Sequence, residues 1–163
     1  GLVDNLRDKG LLAGGDPAPA DPDLQLERIR GCDYIVPNET ELAMLTGMPT
    51  DTSDAVRRAA ATLRETGIPN VIVTLGEQGA LWLSDAGARH LPGVPVAARD
   101  TTGAGDFFAG GFLHRHALGG SLKDCLCEGA ACAGEVIQVI GTQLPDTTWQ
   151  RLRAESAARC STH

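Results

Sequence analysis

Positive charge is scarce in this sequence: 14 Lys and Arg stand against 21 Asp and Glu, leaving a net charge of −7. Tracking a nucleic-acid backbone takes clustered cations, so the charge argues against a nucleic-acid surface and no nucleic-acid partner is expected. No apolar run reaches the length of about 18 residues that suggests a membrane helix, so no membrane partner is expected. The opening Gly1-Leu2-Val3-Asp4 has neither a basic nor an apolar signal region, and no signal peptide is expected. The chain also opens without Met, inside what reads as a helix, as though sequence preceded it. Two phosphate-binding motifs are missing. No G-x-x-x-x-G-K-[ST] occurs, which rules out a P-loop, and G-x-G at Gly103 and Gly105 is followed by Phe108 where a dinucleotide fingerprint places its third glycine. The five cysteines, Cys32, Cys125, Cys127, Cys132 and Cys160, are odd in number and uneven in spacing. They suit a reducing, cytoplasmic setting rather than a disulfide framework. Cys125 and Cys127 lie about 200° apart around a helix, so they could not grip one metal ion, and buried structural thiols are expected. No internal repeat is visible.

What is present is an alternation of short apolar strands and amphipathic helices. A length of 163 residues suggests one domain with a real core, and 42% hydrophobic with 21% charged residues is ordinary for a soluble globular protein. Leu2, Val3 and Leu6 read as the end of a helix stopped by Gly10, Leu11 to Gly15 as a weak strand, and Asp16 to Pro22 as irregular chain. Leu24 to Ile29 reads as a short helix and Tyr34-Ile35-Val36 as a buried strand ended by Pro37. Asn38 can cap a helix from Glu39 to Leu45 closed by Gly47. Ser53 to Glu65 is a clear helix with Val56, Ala59, Ala60 and Leu63 on one face. Val71 to Val73 is a buried strand, Gly76 to Gly79 a turn, Ala80 to Leu83 the returning strand, and Asp85-Ala86-Gly87 a hairpin turn. His90 to Ala97 is expected to supply further short strands. Farther on, Gly119-Gly120 breaks the chain and Ser121 caps a helix, with Asp124 at the capping-box position. The small residues Gly129 to Gly134 would let that helix sit close to a neighbour. His114 and His116 read as ordinary, partly exposed histidines. Gly141 to Pro145 is a loop, and Trp149, Leu152 and Ala154 belong to a last helix. The pattern predicts an α/β fold with a largely parallel central sheet.

The stretch with the densest chemistry is Arg99 to Phe112, R-D-T-T-G-A-G-D-F-F-A-G-G-F. It follows the strand-like run Val94 to Ala97 and passes through Gly103-Ala104-Gly105 into an apolar segment of helical period, so Asp106 falls in the first helical turn. The first amides of a helix lack intrahelical partners and carry the positive end of its dipole, so they bind anions. Glycine lets the backbone approach a phosphate closely. Asp106 is then either a helix-start residue complementing the dipole or a base held beside an anion site. Asp100, and the Gly and Thr between the two acids, favour the second.

The motif D-T-T-G-A-G-D-x-F-x-G-G from Asp100 to Gly111 resembles the C-terminal signature of the ribokinase-like carbohydrate kinases, the pfkB superfamily. P-N-E-T-E at Pro37 to Glu41 and V-T-L-G-E-Q-G at Val73 to Gly79 extend the resemblance in family order, roughly from Leu11 to Gln150. It covers only the C-terminal half of such a kinase; the N-terminal strands and lid that hold most sugar contacts in the family have no counterpart. The resemblance implies a three-layer α/β/α sandwich, of which residues 1–163 form a single nucleotide-binding and catalytic portion. It implies ATP-dependent phosphorylation of a hydroxymethyl group of a sugar, with Asp106 as general base and the amides of Gly103, Ala104 and Gly105 as anion hole. It places Asn38 and Glu41 by Mg²⁺ and the phosphates, and Thr74, Gly76 and Gly79 along the nucleotide. Asp100, Thr102 and the backbones of Val136, Val139 and Gly141 match positions that hold a K⁺ in many relatives. Arg99 could add a cation to an otherwise acidic ATP site. Ala130 lies where a larger polar residue often meets adenine, and it offers no such bond. Other accounts stay open at this stage: a capping box for Asn38 and Glu41, a tight turn for Gly76 and Gly79, and a turn-stabilising role for Asp100. E-V-I-Q-x-x-G at Glu135 to Gly141 also resembles the adenosine-type nucleoside kinases, and a non-catalytic nucleotide-binding fragment is the third alternative. A sugar or nucleoside substrate and a homodimer are the expected partners.

Overall fold

The computed structural model describes residues 11–13, 29, 32–93 and 96–160. The expected helix end before Gly10, the proline turn from Asp16 to Pro22 and nearly all of the expected helix from Leu24 lie outside the described residues. The chain divides into two compact units, Gly1–Gly93 and Val94–His163.

The first unit is built on a five-stranded sheet whose strands lie side by side in sequence order. They are β1 (Leu11–Ala13), β2 (Tyr34–Val36), β3 (Asn70–Thr74), β4 (Ala80–Ser84) and β5 (Gly87–Leu91). The chain leaves β2 and returns to β3 through α1 (Glu39–Thr46) and α2 (Ser53–Glu65), a crossover long enough to reverse direction twice, so β2 and β3 pair in parallel, as β1 and β2 do. From β3 onward the links are short turns, which permit only antiparallel pairing, and the sheet is therefore mixed. Val71, Ile72 and Val73 are buried on both faces of β3, as a continuous β-branched run requires. Thr52 caps α2 by accepting the Ala55 N–H at 3.1 Å, and α2 turns Val56, Ala59, Ala60 and Leu63 into a core shared with Ile35, Val71, Val73 and Leu81.

The strands expected from His90 to Ala97 stop short. β5 ends at Leu91, and Val96 and Ala97 have no strand partner, while Val94 lies outside the described residues. Pro92, directly after Leu91, has no N–H to donate to a ladder.

The second unit contributes three helices: α3 (Ala104–Ala117), α4 (Leu122–Val136) and α5 (Asp146–Cys160). The Ser121 hydroxyl accepts the Asp124 N–H at 3.3 Å, and the Asp124 carboxylate accepts the Ser121 N–H at 3.2 Å, the reciprocal cap read from the sequence. The close approach of α3 to α4 depends on two glycines. A Cβ on Gly111 would lie 2.8 Å from Cys132 Sγ and from the Glu128 carbonyl, and one on Gly129 would lie 2.7 Å from the Phe108 carbonyl. A Cβ on Gly134, by contrast, would have nothing within 4 Å. The two glycines of the same small-residue run should therefore respond with opposite sign. Gly129→Ala is expected to lower stability by about 1–3 kcal/mol through overpacking. Gly134→Ala should raise it by up to about 1 kcal/mol through helix propensity. Urea unfolding of both variants checks this, and equal signs would defeat the packing account.

Cys32, Cys125 and Cys132 are buried and Cys127 is half-buried, and none of the four is in a disulfide. Burial first, and then the neighbouring Asp124 charge, pushes the Cys125 thiol up to about 11. At about pH 8, where the thiolate is the reactive form, iodoacetamide should label Cys127 and leave Cys125 untouched until the chain unfolds. Peptide mapping by mass spectrometry reads this directly. Among the described residues no group of His, Cys, Asp and Glu is arranged to hold a metal ion by side chains alone, and no helix is long and apolar enough to cross a membrane.

Candidate active site

Helix α3 begins without a side-chain cap. Its N-cap is Gly103, left-handed at φ 79° and ψ −1°, and a Cβ there would lie 2.9 Å from Thr142 Cγ2. The Gly103 carbonyl accepts the Phe107 N–H at 3.0 Å and closes the first turn. The Ala104 N–H donates to the Thr101 carbonyl at 3.2 Å. Among the described residues the N–H groups of Gly103, Gly105 and Asp106 have no acceptor. Of the amides that sequence analysis assigns to an anion hole, the Ala104 group is thus engaged in the turn. Asp106 is the third residue of α3, exposed, with no ion pair or hydrogen bond among the described residues.

The loop before this turn is held by Asp100. Its Oδ1 accepts the Thr102 N–H at 2.9 Å and its Oδ2 accepts the Gly141 N–H at 3.1 Å. Hydrogen bonds from Thr102, side chain first and then backbone, and from Gly141 hold the Asp100 carboxyl below its usual range, so it is ionised at neutral pH. The Arg99 and Asp100 N–H groups both donate to the Ile137 carbonyl, at 2.7 and 3.2 Å. Val136 and Val139 belong to the turn that carries Ile137, the Val139 N–H donating to the Val136 carbonyl at 3.2 Å. Asp100, Thr102 and Gly141 are therefore joined directly, with Val136 and Val139 in the adjoining turn.

In the first unit Asn38 caps α1. Its Oδ1 accepts the Glu41 N–H at 2.9 Å, and Glu41 Oε2 accepts the Asn38 N–H at 2.9 Å. Thr74 sits beside it: its N–H donates to the Pro37 carbonyl at 3.0 Å, and Asn38 and Thr74 form a parallel bridge. Asn38, Glu41 and Thr74 thus gather at the carboxyl ends of parallel strands β2 and β3, the edge at which open α/β sheets bind ligands. Gly76 to Gln78 form a 3₁₀ turn, and Gly79 adopts φ 92° and ψ −123°. A Cβ on Gly79 would lie 2.1 Å from the Leu91 carbonyl, and one on Gly93 would lie 2.2 Å from the Glu77 carbonyl. Two backbone segments cross there. Gly93 escapes sequence reasoning because a glycine after a proline reads only as a turn.

A cavity of about 440 Å³ opens within the second unit, lined by Asp106, Phe107, His114, Glu128, Trp149 and Leu152 among others. His114 Nδ1 lies 2.6 Å from Glu128 Oε1, whose side chain is only 11% exposed. Nothing local in the sequence marks that pair, since it joins two helices. The Phe107 and Trp149 rings stack at 5.8 Å with 21° between planes.

Helix α3 thus starts uncapped, with the unengaged N–H groups of Gly103, Gly105 and Asp106 beside an exposed carboxylate. The pfkB family carbohydrate kinases match residues 14–149. The chain belongs to that family. A deoxyribokinase of Salmonella typhi is 44% identical over 128 residues, 78% of this pfkB chain and 42% of the relative. The structure of Arabidopsis thaliana ribokinase complexed with ribose and ATP matches with a TM-score of 0.71 at 33% identity, covering 87% of this chain and 46% of that one. Phosphofructokinase-2 from Escherichia coli in complex with potassium matches at 0.65 and 28% identity, over 77% and 41% of the two chains. The fold is ribokinase-like, and this pfkB chain spans less than half the length of these relatives.

Proposed function

We propose that this pfkB chain is the nucleotide-binding and catalytic portion of a kinase that moves the γ-phosphoryl group of ATP to a hydroxymethyl group of a sugar. The observation that carries the reading is the first turn of α3, where Asp106 stands unpaired next to the free amides of Gly103, Gly105 and itself. Asp106 takes the acceptor's hydroxyl proton as that oxygen bonds to the γ-phosphorus, while the bond from phosphorus to the bridging oxygen breaks and ADP leaves. The amides carry the negative charge spread over the equatorial oxygens, fixed in place before the reaction. Thr74, Gly76 and Gly79 follow the nucleotide. Asn38 and Glu41 would hold Mg²⁺ through its waters: Glu41 Oε1 has no partner among the described residues, and a hard oxygen suits that ion. When bound, Mg²⁺ supplies charge neutralisation on the phosphates. For K⁺, the donor set at Asp100, Thr102, Val136, Val139 and Gly141 is hard oxygen, and each Asp100 oxygen that accepts one N–H keeps a further lone pair.

The similarity to a deoxyribokinase supports a pentose as acceptor. The test is ATP with Mg²⁺ and, in turn, deoxyribose, ribose, fructose and adenosine, following ADP release and the phosphorylated product. ATP binding without transfer to any alcohol would make the chain a nucleotide-binding module, and a preference for adenosine would make it a nucleoside kinase. Turnover should be higher in K⁺ than in Na⁺ or Li⁺. Indifference to the cation would leave Asp100 as a loop staple alone. Four cysteines outside any disulfide support a reducing, cytoplasmic setting.

A further inference from the structure

Helix α1 is capped by Asn38, α2 by Thr52 and α4 by Ser121, each through a side chain that accepts a first-turn N–H. Helix α3 has no such bond. The reason is chemical: a cap and a phosphoryl group compete for the same N–H groups, so a helix start that binds an anion must leave them open. An uncapped first turn frays, however, and a fraying turn carries Asp106 away from a productive position. Order has to come from groups that touch no amide.

We propose that Trp149 is a positioning residue for Asp106, on the kinase reading given above. It reaches from α5 and stacks on Phe107, the residue directly after Asp106 and the one whose N–H closes the first turn on Gly103. The stack clamps the turn from its side-chain face and leaves the amides of Gly105 and Asp106 untouched. The start of α5 that carries Trp149 is set locally, the Thr148 and Trp149 N–H groups being bound to the Pro145 carbonyl at 2.9 and 3.3 Å, and Arg151 pairs with Glu135 of α4 at 2.6 Å as a separate tie. Thr142, against Gly103, and Asp100, on Thr102, hold the other side of the turn.

Two readouts test this, one of them independent of turnover. In this chain, Trp149→Leu should speed hydrogen exchange of the Phe107 amide about tenfold, the scale of one aromatic pair. Trp149→Phe, which keeps a ring on Phe107, should restore protection. Arg151→Ala breaks the tie to α4 without touching the stack and should leave that amide unchanged. In the enzyme carrying this chain, Trp149→Leu should lower kcat about 10- to 100-fold, with KM for ATP held within about twofold. Phe107→Leu removes the same stack from the other side, so the double variant should fall little below either single one. Equal losses in Arg151→Ala and Trp149→Leu would reduce Trp149 to general docking of α5, and unchanged exchange and kcat in Trp149→Leu would overturn the proposal. Absence of phosphoryl transfer by the unmutated enzyme counts against the kinase reading alone, and the exchange experiment still decides whether Trp149 holds the turn.

Discussion

Asp106→Asn is expected to cut turnover by about 10²- to 10⁴-fold, the usual loss when a general base is removed, while ATP binding and the unfolding midpoint stay close to those of the unmutated protein. The separation follows from the surroundings of the side chain. Asp106 is exposed and makes no hydrogen bond or ion pair among the described residues, so its removal breaks nothing that holds the fold. Asparagine keeps the shape and can still accept a hydrogen bond, but it cannot take up the proton at neutral pH. The folded state loses only the favourable placement of a negative charge at a helix N-terminus, about 0.3–1 kcal/mol. Steady-state kinetics, calorimetric titration with ATP and thermal unfolding together give the answer. Turnover within a few-fold of the original would remove Asp106 from the mechanism, whereas a large drop in melting temperature would return it to the role of a structural helix-start residue.

Gly79→Ala should unfold the first unit far more readily, by about 2–5 kcal/mol, from backbone strain and overpacking together. Gly79 holds φ 92° and ψ −123°, a region closed to side chains, and an added Cβ would stand 2.1 Å from the Leu91 carbonyl and 2.4 Å from the Gly93 nitrogen. Neither neighbour is the end of a flexible side chain, so the backbone itself must move. Gly76→Ala is the control. Gly76 also has positive φ, 56°, but a Cβ there would have nothing within 4 Å, so the cost is only the left-handed penalty of roughly 1–2 kcal/mol. Denaturant unfolding without nucleotide distinguishes the two explanations of this loop. If Gly79→Ala leaves stability intact and lowers only ATP affinity, the nucleotide and not the chain crossing explains the glycine.

Local interactions made much of the molecule readable in advance. Ser53 to Glu65 has the predicted bounds because its start and its apolar stripe are both set within a few residues of chain. Asn38 and Glu41 form the reciprocal cap because they lie three residues apart, and they would do so in almost any fold. Gly103-Ala104-Gly105 places Asp106 in a first turn for the same reason. The misses lie where a backbone hydrogen bond, and not composition, decides. His90 to Ala97 looks like strand by composition, yet β5 ends at Leu91, directly before Pro92, which has no N–H to offer a neighbour. The Ala104 amide is engaged by the Thr101 carbonyl only three residues back, in a loop that Asp100 ties to Gly141 beyond the end of α4.

The order of residues, by itself, determined where α1, α2 and α4 begin, which carboxylate stands at the head of α3 and to which family the motif points. These are consequences of backbone geometry and of contacts made within about one helical turn. The tertiary structure alone decided which glycine is needed for space, since a Cβ on Gly129 would meet the Phe108 carbonyl and one on Gly134 would meet nothing within 4 Å. It alone set the His114 and Glu128 pair and the ring of Trp149 on Phe107. Those contacts join helices separated by loops, and their geometry exists only after the chain has closed on itself.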